Sequence, residues 1–334
     1  MSRVSGATLF ATTILAAGWL AGDAHAAEAS GVEAGEVEGV VVQGERVSTS
    51  AVAGLGLTLR ETPQSVTVVP RGQIEDFALT TANELLTQIP GINVEKVEID
   101  RTYYNARGFD ITNFQVDGVG MPLIWGIQFG DLDTAIYERV EAVRGANAMM
   151  TGTGNPSATI NYIRKRPTQE TRGAITAQYG SWDDKRLEAD VSGPLNAAAT
   201  VTGRLVYANE DKGSYLDHYG VNRNVYYGVL SWDITPKLNL TGGYSLQDNR
   251  ARGVLWGALP MTYSDGTRIS YPVSASTSAD WTSWNVRDQT AFGELSYSFD
   301  NGWRIKGVGT YRRSDEQAKL LYAYGHPDAA SALA

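Results

Sequence analysis

The chain has 334 residues, and its 37 acidic residues outnumber its 28 lysines and arginines to give a formal net charge of -9. This acidic balance, without a basic patch, argues against nucleic acid as a partner. The chain contains no cysteine, so a disulfide framework is excluded. Its 17 tyrosines, 8 tryptophans and 36 glycines are typical of strands that have one lipid-facing and one polar face.

Residues 1–26 are predicted to be a secretory signal peptide. Arg3 supplies a positive start, residues 7–21 are largely small and apolar, and residues 24–26 (AHA) have the small-x-small form that precedes a cleavage site. The apolar stretch is too short for a transmembrane helix. We therefore expect an exported protein that is either soluble or a β-barrel.

Residues 27–54 are expected to form a flexible periplasmic tether, because they are rich in Ala, Glu, Gly and Val and almost free of aromatic residues. The tether contains the β-prone sequence VEGVVV at residues 37–42. A short strand of this kind can add itself to the sheet edge of a partner protein.

Residues 55–167 are predicted to form a domain of mixed α and β structure. Thr81 and Glu84 have the spacing of a capping box, which predicts a helix that stops near Pro90. A second short helix is predicted over residues 131–139, where acidic residues in the first turn suit the helix dipole. Strands are predicted at residues 64–69, 114–119 and 157–165.

After Pro167, apolar and polar residues alternate with a period of two, which predicts strands with one apolar and one wet face. Seven strands are predicted, at about 173–180, 186–194, 200–211, 223–234, 237–248, 287–299 and 303–313. Short turns alternate with long connections, as in outer-membrane barrels. A plugged barrel needs about 22 strands, so we expect residues 168–334 to be the first part of a transmembrane β-barrel in a longer receptor.

Several motifs follow one another over about sixty residues. They are YYNARGF at 103–109, VDG at 116–118, YERVEAVRG at 137–145, GTGNPSATIN at 152–161 and RKRP at 164–167. In order and spacing they closely resemble the plug domain of TonB-dependent siderophore receptors, especially those for ferric coprogen, related hydroxamates and ferric pyoverdines. The resemblance implies an α/β plug domain inside a transmembrane β-barrel.

The resemblance also implies roles for individual residues. Glu38, Val40, Val41 and Val42 would form the TonB box, although Gly39 stands where the family has threonine. Arg107, at the apex of the plug, Trp256 and Tyr322 would contact the siderophore. Trp125 is added on chemical grounds, as an aromatic residue in a plug loop unlike the family pattern. Arg107 and Arg144 would also pair with barrel glutamates and lock the plug, so two roles stay open for Arg107.

The resemblance implies that the protein imports a ferric siderophore of the hydroxamate type across the outer membrane of a Gram-negative bacterium into the periplasm. Expected partners are the siderophore, the TonB-ExbB-ExbD complex that supplies energy, and outer-membrane lipid around a monomer. No cofactor is expected, since the chelator carries and coordinates the iron. Aromatic rings and a fixed arginine suit recognition of such a chelate.

Other functions remain open from the sequence. Within the family, the ligand could be haem, cobalamin or a carbohydrate. A passive porin would share the strands but not an α/β domain before them. A periplasmic enzyme is disfavoured because no catalytic constellation is found, and His25, His218 and His326 lack the spacing of a metal site.

The predicted TonB box can be tested by the substitution Val41→Pro. Proline removes a backbone donor and fixes φ, so strand addition to the partner should fail. Cells carrying the change in the chromosomal gene are expected to bind the ferric chelate at the surface but not to accumulate it. Uptake at the unsubstituted rate would remove this segment from the coupling mechanism.

Overall fold

The computed structural model describes residues 48–49, 57–58, 61–145 and 155–331. The predicted signal peptide and most of the predicted tether, with Glu38, Val40, Val41 and Val42, lie outside the described residues. Residues 152–154 of the glycine-rich motif also lie outside them. The expected domain boundary near Pro167 stays a prediction.

An α/β domain comes first along the described chain. Its strands are β1 (Ser48–Thr49), β2 (Leu57–Thr58), β3 (Ser65–Pro70), β4 (Asn93–Lys96), β5 (Arg101–Ala106), β6 (Phe109–Asp110), β7 (Asn113–Val116), β8 (Val119–Gly120), β9 (Gln128–Phe129), β10 (Tyr137–Arg144) and β11 (Ala158–Arg164). Its helices are α1 (Arg71–Asp76) and α2 (Ala82–Thr87), with a 3-10 turn at Ile124–Gly126. Among the described residues, no helix is long and apolar enough to cross a bilayer.

The predicted capping box is present at the start of α2. The Thr81 hydroxyl accepts a hydrogen bond from the Glu84 amide at 3.1 Å, and the Glu84 carboxylate accepts one from the Thr81 amide at 3.0 Å. These bonds satisfy amides that the first helical turn leaves unpaired. The helix then buries Leu85 and Leu86 completely against the sheet of the domain.

That sheet has five strands in the order β3-β10-β11-β7-β8. Strand β10 is antiparallel to both β3 and β11, while β11 runs parallel to β7. Its central strands, β10 and β11, are buried along most of their length. Val140, Ala142, Ile160 and Tyr162 are accordingly buried.

The helix predicted over residues 131–139 is wrong. Residues 137–144 form strand β10, because β-branched Val140 and Val143 pair into a central position between two neighbouring strands. Residues 131–136 are irregular, and the Asp133 carboxylate accepts a hydrogen bond from the Ala135 amide at 2.8 Å. The acidic residues thus serve a local turn and, as shown below, ion pairs rather than a helix dipole.

The rest of the chain forms a seven-stranded antiparallel sheet in sequence order. Its strands are β12 (Arg172–Tyr179), β13 (Lys185–Pro194), β14 (Val201–Gly213), β15 (Gly220–Thr235), β16 (Leu238–Arg252), β18 (Ser283–Ser298) and β19 (Arg304–Lys319). Two short strands, β17 (Trp256–Gly257) and β20 (Tyr322–Ala323), and a 3-10 turn at Ser181–Asp183 lie in the connections. The seven predicted strands are therefore present, and β18 and β19 are longer than predicted.

Side chains alternate between the two faces of this sheet. On β13, Leu187 and Val191 are exposed. Arg186, Glu188 and Asp190, on the opposite face of the strand, bond to the α/β domain. The exposed face is apolar at many positions, which suits hydrocarbon, and the inner face is polar. The fold is an α/β domain held against the inner face of part of a β-barrel.

Candidate functional site

Connections of different length lie at the two ends of the seven-stranded sheet. Residues 195–200, 236–237 and 299–303 make short turns at one end. Residues 180–184, 214–219 and 253–282 connect the strands at the other end, and 253–282 is by far the longest of the six connections, so we call this the long-loop end. In outer-membrane barrels the long loops face the outside of the cell.

A cavity of about 1140 Å³ lies between the α/β domain and the long-loop end. One wall is the tip of the β4–β5 hairpin, including Ile99 and Asp100, with Gly130 and Asp131 beside it. The other wall consists of residues 179–184 and 212–219. Volumes of several hundred cubic ångströms are typical of ligand pockets, so this cavity is large enough for a bulky ligand.

Aromatic residues surround the long-loop end in two groups. Trp182 and Tyr215 line the cavity with their rings 6.3 Å apart, edge to face. In the second group, Trp256 and Tyr322 have ring centroids 5.4 Å apart because β17 and β20 pair directly at these two residues. The structure therefore brings together two residues that the sequence singled out separately, from positions 66 residues apart.

A close approach at Gly257 makes this second group possible. Gly257 has φ +97°, which side-chain-bearing residues rarely adopt, and a Cβ there would lie 3.0 Å from the Tyr322 ring. The Tyr322 ring also stacks on Tyr324 at 6.1 Å. Tyr322 is 55% exposed, so the group presents an accessible aromatic surface.

Trp125 lies elsewhere, in the 3-10 turn Ile124–Gly126 of the α/β domain. It has φ +53° and is 83% exposed. Neighbouring residues Leu123 and Ile127 line a second cavity, of about 410 Å³, against strands β18 and β19. The predicted contact of Trp125 with a ligand stays a prediction.

The apex position expected for Arg107 is not observed. Strand β5 starts at Arg101, next to the hairpin tip that lines the cavity, and it runs away from that tip. Arg107 is six residues further along, or about 20 Å at a strand's rise per residue. It sits in the β5–β6 turn with φ +57°, beside Gly145. The sequence motif singles out Arg107, but the direction of β5 places Arg107 away from the hairpin tip that lines the cavity.

Arg101 is the arginine that the structure places at this tip. Its Nε donates to Glu98 at 2.8 Å, and its guanidinium carbon lies 5.9 Å from the centre of the Trp284 ring. Trp284 in turn contacts Phe129, with ring centroids 6.1 Å apart. Sequence reasoning missed Arg101, although its place at the start of a strand after a polar hairpin tip was a usable signal.

The hydrogen bonds shown for Arg144 stay within the α/β domain. Its guanidinium donates to the Ser65 hydroxyl, to the Thr67 hydroxyl at 2.8 Å and to the Pro90 carbonyl at 2.9 Å. These bonds join strands β10 and β3 to the end of α2. The predicted pairing of Arg107 and Arg144 with glutamates of the large sheet stays a prediction.

A buried ion network joins the two parts of the chain at Asp133. Arg186 donates to both carboxylate oxygens of Asp133, at 2.8 and 2.9 Å, and Arg223 Nε donates at 2.8 Å. Arg223 also pairs with Glu210. Burial alone would raise the pKa of Asp133, but Arg186 and Arg223 hold it well below its usual range. Asp133 is therefore a buried anion clamped by two sheet arginines.

Amide side chains of β16 complete the contact around Asp133. Gln247 accepts from the Asp133 amide at 2.9 Å and donates to the Asp131 carbonyl at 2.7 Å. Asn249 donates to the same carbonyl at 3.1 Å. Irregular backbone at residues 131–133 thus finds its hydrogen bonds on the large sheet.

A second set of ion pairs fixes the segment after β11. Lys165 contacts Asp190 at 2.8 Å and Glu188 at 3.4 Å, and Arg166 contacts Glu294 at 2.6 Å. The Tyr227 hydroxyl donates to the Lys165 carbonyl at 2.8 Å. These contacts place the end of the α/β domain against the inner face of strands β13, β15 and β18.

Comparison with known proteins identifies this architecture. The TonB-dependent receptor plug domain family matches residues 58–159. The ferripyoverdine receptor of Pseudomonas aeruginosa is 45% identical over 253 residues, which are 75% of this chain and 31% of the receptor. The chain belongs to the TonB-dependent siderophore receptors. The α/β domain is their plug, and the seven-stranded sheet is part of their barrel.

Two further relatives agree with this assignment. The crystal structure of the Pseudomonas aeruginosa outer-membrane ferripyoverdine receptor bound to ferripyoverdine matches with a TM-score of 0.77 and 40% identity, covering 81% of this chain and 37% of that one. The ferrioxamine B receptor of Salmonella typhimurium is 23% identical over 282 residues, 79% of this chain and 39% of the receptor. The chain spans about a third of the length of such relatives. Its location is the outer membrane of a Gram-negative bacterium.

We predict that the ion network at Asp133 holds the plug in the barrel. In the variant Asp133→Asn, the amide keeps the shape and the turn, but the buried charges of Arg186 and Arg223 lose their shared counter-ion. Breaking a buried ion pair from one side costs about 3 kcal/mol or more. We expect a loosened plug, seen as higher sensitivity of the cells to a large antibiotic that the outer membrane normally excludes.

Asp265→Asn is the matched control, because Asp265 is a fully exposed carboxylate in the long connection 253–282. It should leave antibiotic sensitivity unchanged. Equal sensitivity in the two variants, at equal surface expression, would show that the Asp133 network does not determine how firmly the plug is held.

Proposed function

We propose that the protein binds a ferric siderophore of the hydroxamate type at its outer face and imports it into the periplasm with energy from the TonB-ExbB-ExbD complex. The observation that carries the proposal is the aromatic-walled cavity between plug tip and outer loops. Relatives named for ferripyoverdine and ferrioxamine B support the ligand class. The proposal involves no catalysis, and the relatives are receptors.

Recognition in this proposal depends on the organic surface of an already complete chelate. The siderophore fills the coordination shell of iron, so the protein needs to supply no metal ligand and no cofactor. Rings such as Trp182, Tyr215, Trp256 and Tyr322 offer large contact areas at low rotamer cost. Arg101 is better placed than Arg107 to donate a hydrogen bond to chelate oxygens.

Transport in this proposal requires that the plug move without leaving the barrel. Ligand binding at the plug tip would favour a state in which the periplasmic tether is available to TonB. Pulling on the predicted TonB box, Glu38 and Val40 to Val42, would then rearrange the plug. The proposed assembly is a monomer surrounded by outer-membrane lipid.

Growth rescue tests this function directly. A strain with a deletion of the gene, starved of iron, is supplied with single purified ferric siderophores, with and without the restored gene. Rescue that needs the gene, the siderophore and the proton-motive force supports energised import. Rescue that persists after the proton-motive force is collapsed would indicate a passive pore instead. Rescue only by haem, cobalamin or a carbohydrate would change the ligand class.

The second aromatic group yields a quantitative prediction. Trp256→Ala removes a ring expected to bury much of its surface on the chelate, and a hot spot of this kind is worth about 2 kcal/mol, or about thirtyfold in Kd. Equilibrium binding of a labelled ferric trihydroxamate to whole cells measures the loss. Trp303→Ala, in the short turn at the opposite end, should leave Kd unchanged. An unchanged Kd in Trp256→Ala would show that Trp256 does not contact the chelate.

The same binding assay distinguishes the roles of Arg101 and Arg107. Arg101→Ala is expected to weaken binding about tenfold, as for loss of one charge-assisted hydrogen bond. Arg107→Ala should leave Kd unchanged because Arg107 lies at the far end of β5. Weaker binding in Arg107→Ala than in Arg101→Ala would restore the sequence-based assignment.

A further inference from the structure

The cavity at the plug tip has an excess of carboxylates. Five acidic residues line it against three cations: Glu84, Glu98, Asp100, Asp131 and Asp184 against Lys96, Lys212 and Arg223. Each of the three cations already has a carboxylate partner. Lys96 is 3.6 Å from Asp131, Lys212 is 3.3 Å from Glu210, and Arg223 is 2.8 Å from Asp133. None of these pairs includes Asp100 or Asp184.

Asp100 is the exceptional member of this set. It lines the cavity, its residue is only 6% exposed, and its Oδ2 is buried without a hydrogen-bond partner among the described residues. Buried polar atoms are nearly always paired, so an unpaired one calls for a missing partner. Asp184, in the outer-loop wall, has a buried Oδ1 that also lacks a hydrogen-bond partner among the described residues. Each of the two walls of the cavity therefore carries a carboxylate with one oxygen that is unpaired among the described residues.

An organic cation is the ligand group that would pair with Asp100 in its ionised form. A carboxylate accepts hydrogen bonds and pairs with positive charge, so a neutral apolar group would leave Asp100 unpaired. A bound metal ion would need several ligands at one point. Among the described residues, no group of three or more His, Cys, Asp or Glu is placed to hold one.

We propose that this cavity binds a cationic arm of the ferric siderophore, an ammonium or guanidinium group, and that Asp100 and Asp184 receive it. The inference rests on the proposed function and adds to it the ligand's charge and the residues that select it. Trp182 and Tyr215, in the same cavity, would cover the apolar stem of the arm.

The protonation state of Asp100 predicts how binding of a cationic arm depends on pH. Burial, with the Asp131 charge, raises the pKa of Asp100 to about 8. The charged and titratable groups around it are Asp131, Lys96, Glu98, Glu316 and Tyr219. Below pH 8 the carboxyl is mostly protonated, so a cation must displace that proton in order to pair. Affinity for a cationic arm should therefore rise with pH up to about 8, by at most tenfold per pH unit.

Two probes that differ in one charge test the proposal. Ferrioxamine B is a ferric trihydroxamate that ends in a primary amine, and its N-acetyl derivative lacks that charge. Equilibrium binding of both to cells expressing the receptor is measured between pH 6.5 and 8.5. The unsubstituted receptor is expected to prefer the amine about tenfold at pH 8, with a smaller preference at pH 6.5.

Asp100→Asn should abolish both the preference and its pH dependence. The variant should fold, because it is isosteric and removes an unpaired buried carboxyl; surface expression checks this. Asp184→Asn should reduce the preference, and Asp265→Asn, outside the cavity, should retain it.

The outcomes separate this proposal from the proposed function. Equal affinity for the two probes, a preference that survives Asp100→Asn, or no binding of either probe would overturn the cationic-arm assignment. Any of these results is compatible with energised rescue by a neutral ferric siderophore, which would leave the proposed function standing. If no ferric siderophore gives rescue, the proposed function fails as well.

Discussion

The fixed position of the plug depends on a buried carboxylate, Asp133, held by Arg186 and Arg223. Burying one charge costs several kcal/mol unless it is paired with good geometry and its remaining lone pairs are satisfied. Here two guanidinium groups, the Ala135 amide and the backbone contacts of Gln247 satisfy the whole turn. The attraction works only in one register, because a shift of one residue along β13 would replace Arg186 by the outward-facing Leu187. The network therefore fixes both the height and the rotation of the plug inside the barrel.

Charged and polar contacts of this kind suit the plug rearrangement that the proposed transport requires. An apolar interface would resist water, whereas ion pairs and amide contacts can be exchanged one at a time for bonds to water. Apolar packing does occur where Val206, Val225 and Phe292 touch the plug core. The polar contacts nevertheless determine where the plug sits, because they are directional and the apolar ones are not. Stability of the plug itself comes from its own sheet and from α2, which a rearrangement of the interface would leave intact.

The sequence predicted the local features well and the long-range pairs poorly. The capping box at Thr81 and the period-two strands after Pro167 depend on neighbours a few residues away, so pattern reasoning found them. The segment 131–139 failed because its acidic residues have partners 53 and 90 residues further along the chain. Arg107 carried the recognisable motif, but only the direction of β5 shows that Arg101, and not Arg107, lies next to the hairpin tip that lines the cavity. Trp256 and Tyr322 were identified separately, and their pairing depends on a strand contact that no spacing reveals.

Asp133 and Asp100 show how the environment gives the same side chain opposite properties. Both belong to the plug, both are buried, and desolvation acts on both in the same direction. Two arginines reach Asp133 and keep it charged, so it stabilises the contact between plug and barrel. Burial and the Asp131 charge raise the pKa of Asp100 to about 8 against the opposing charge of Lys96, and one of its oxygens has no hydrogen-bond partner among the described residues. A satisfied carboxylate serves the structure, whereas an unsatisfied one at the edge of a large cavity is an incomplete interaction. The cationic arm of a ligand would complete it with the same chemistry that the barrel arginines use at Asp133.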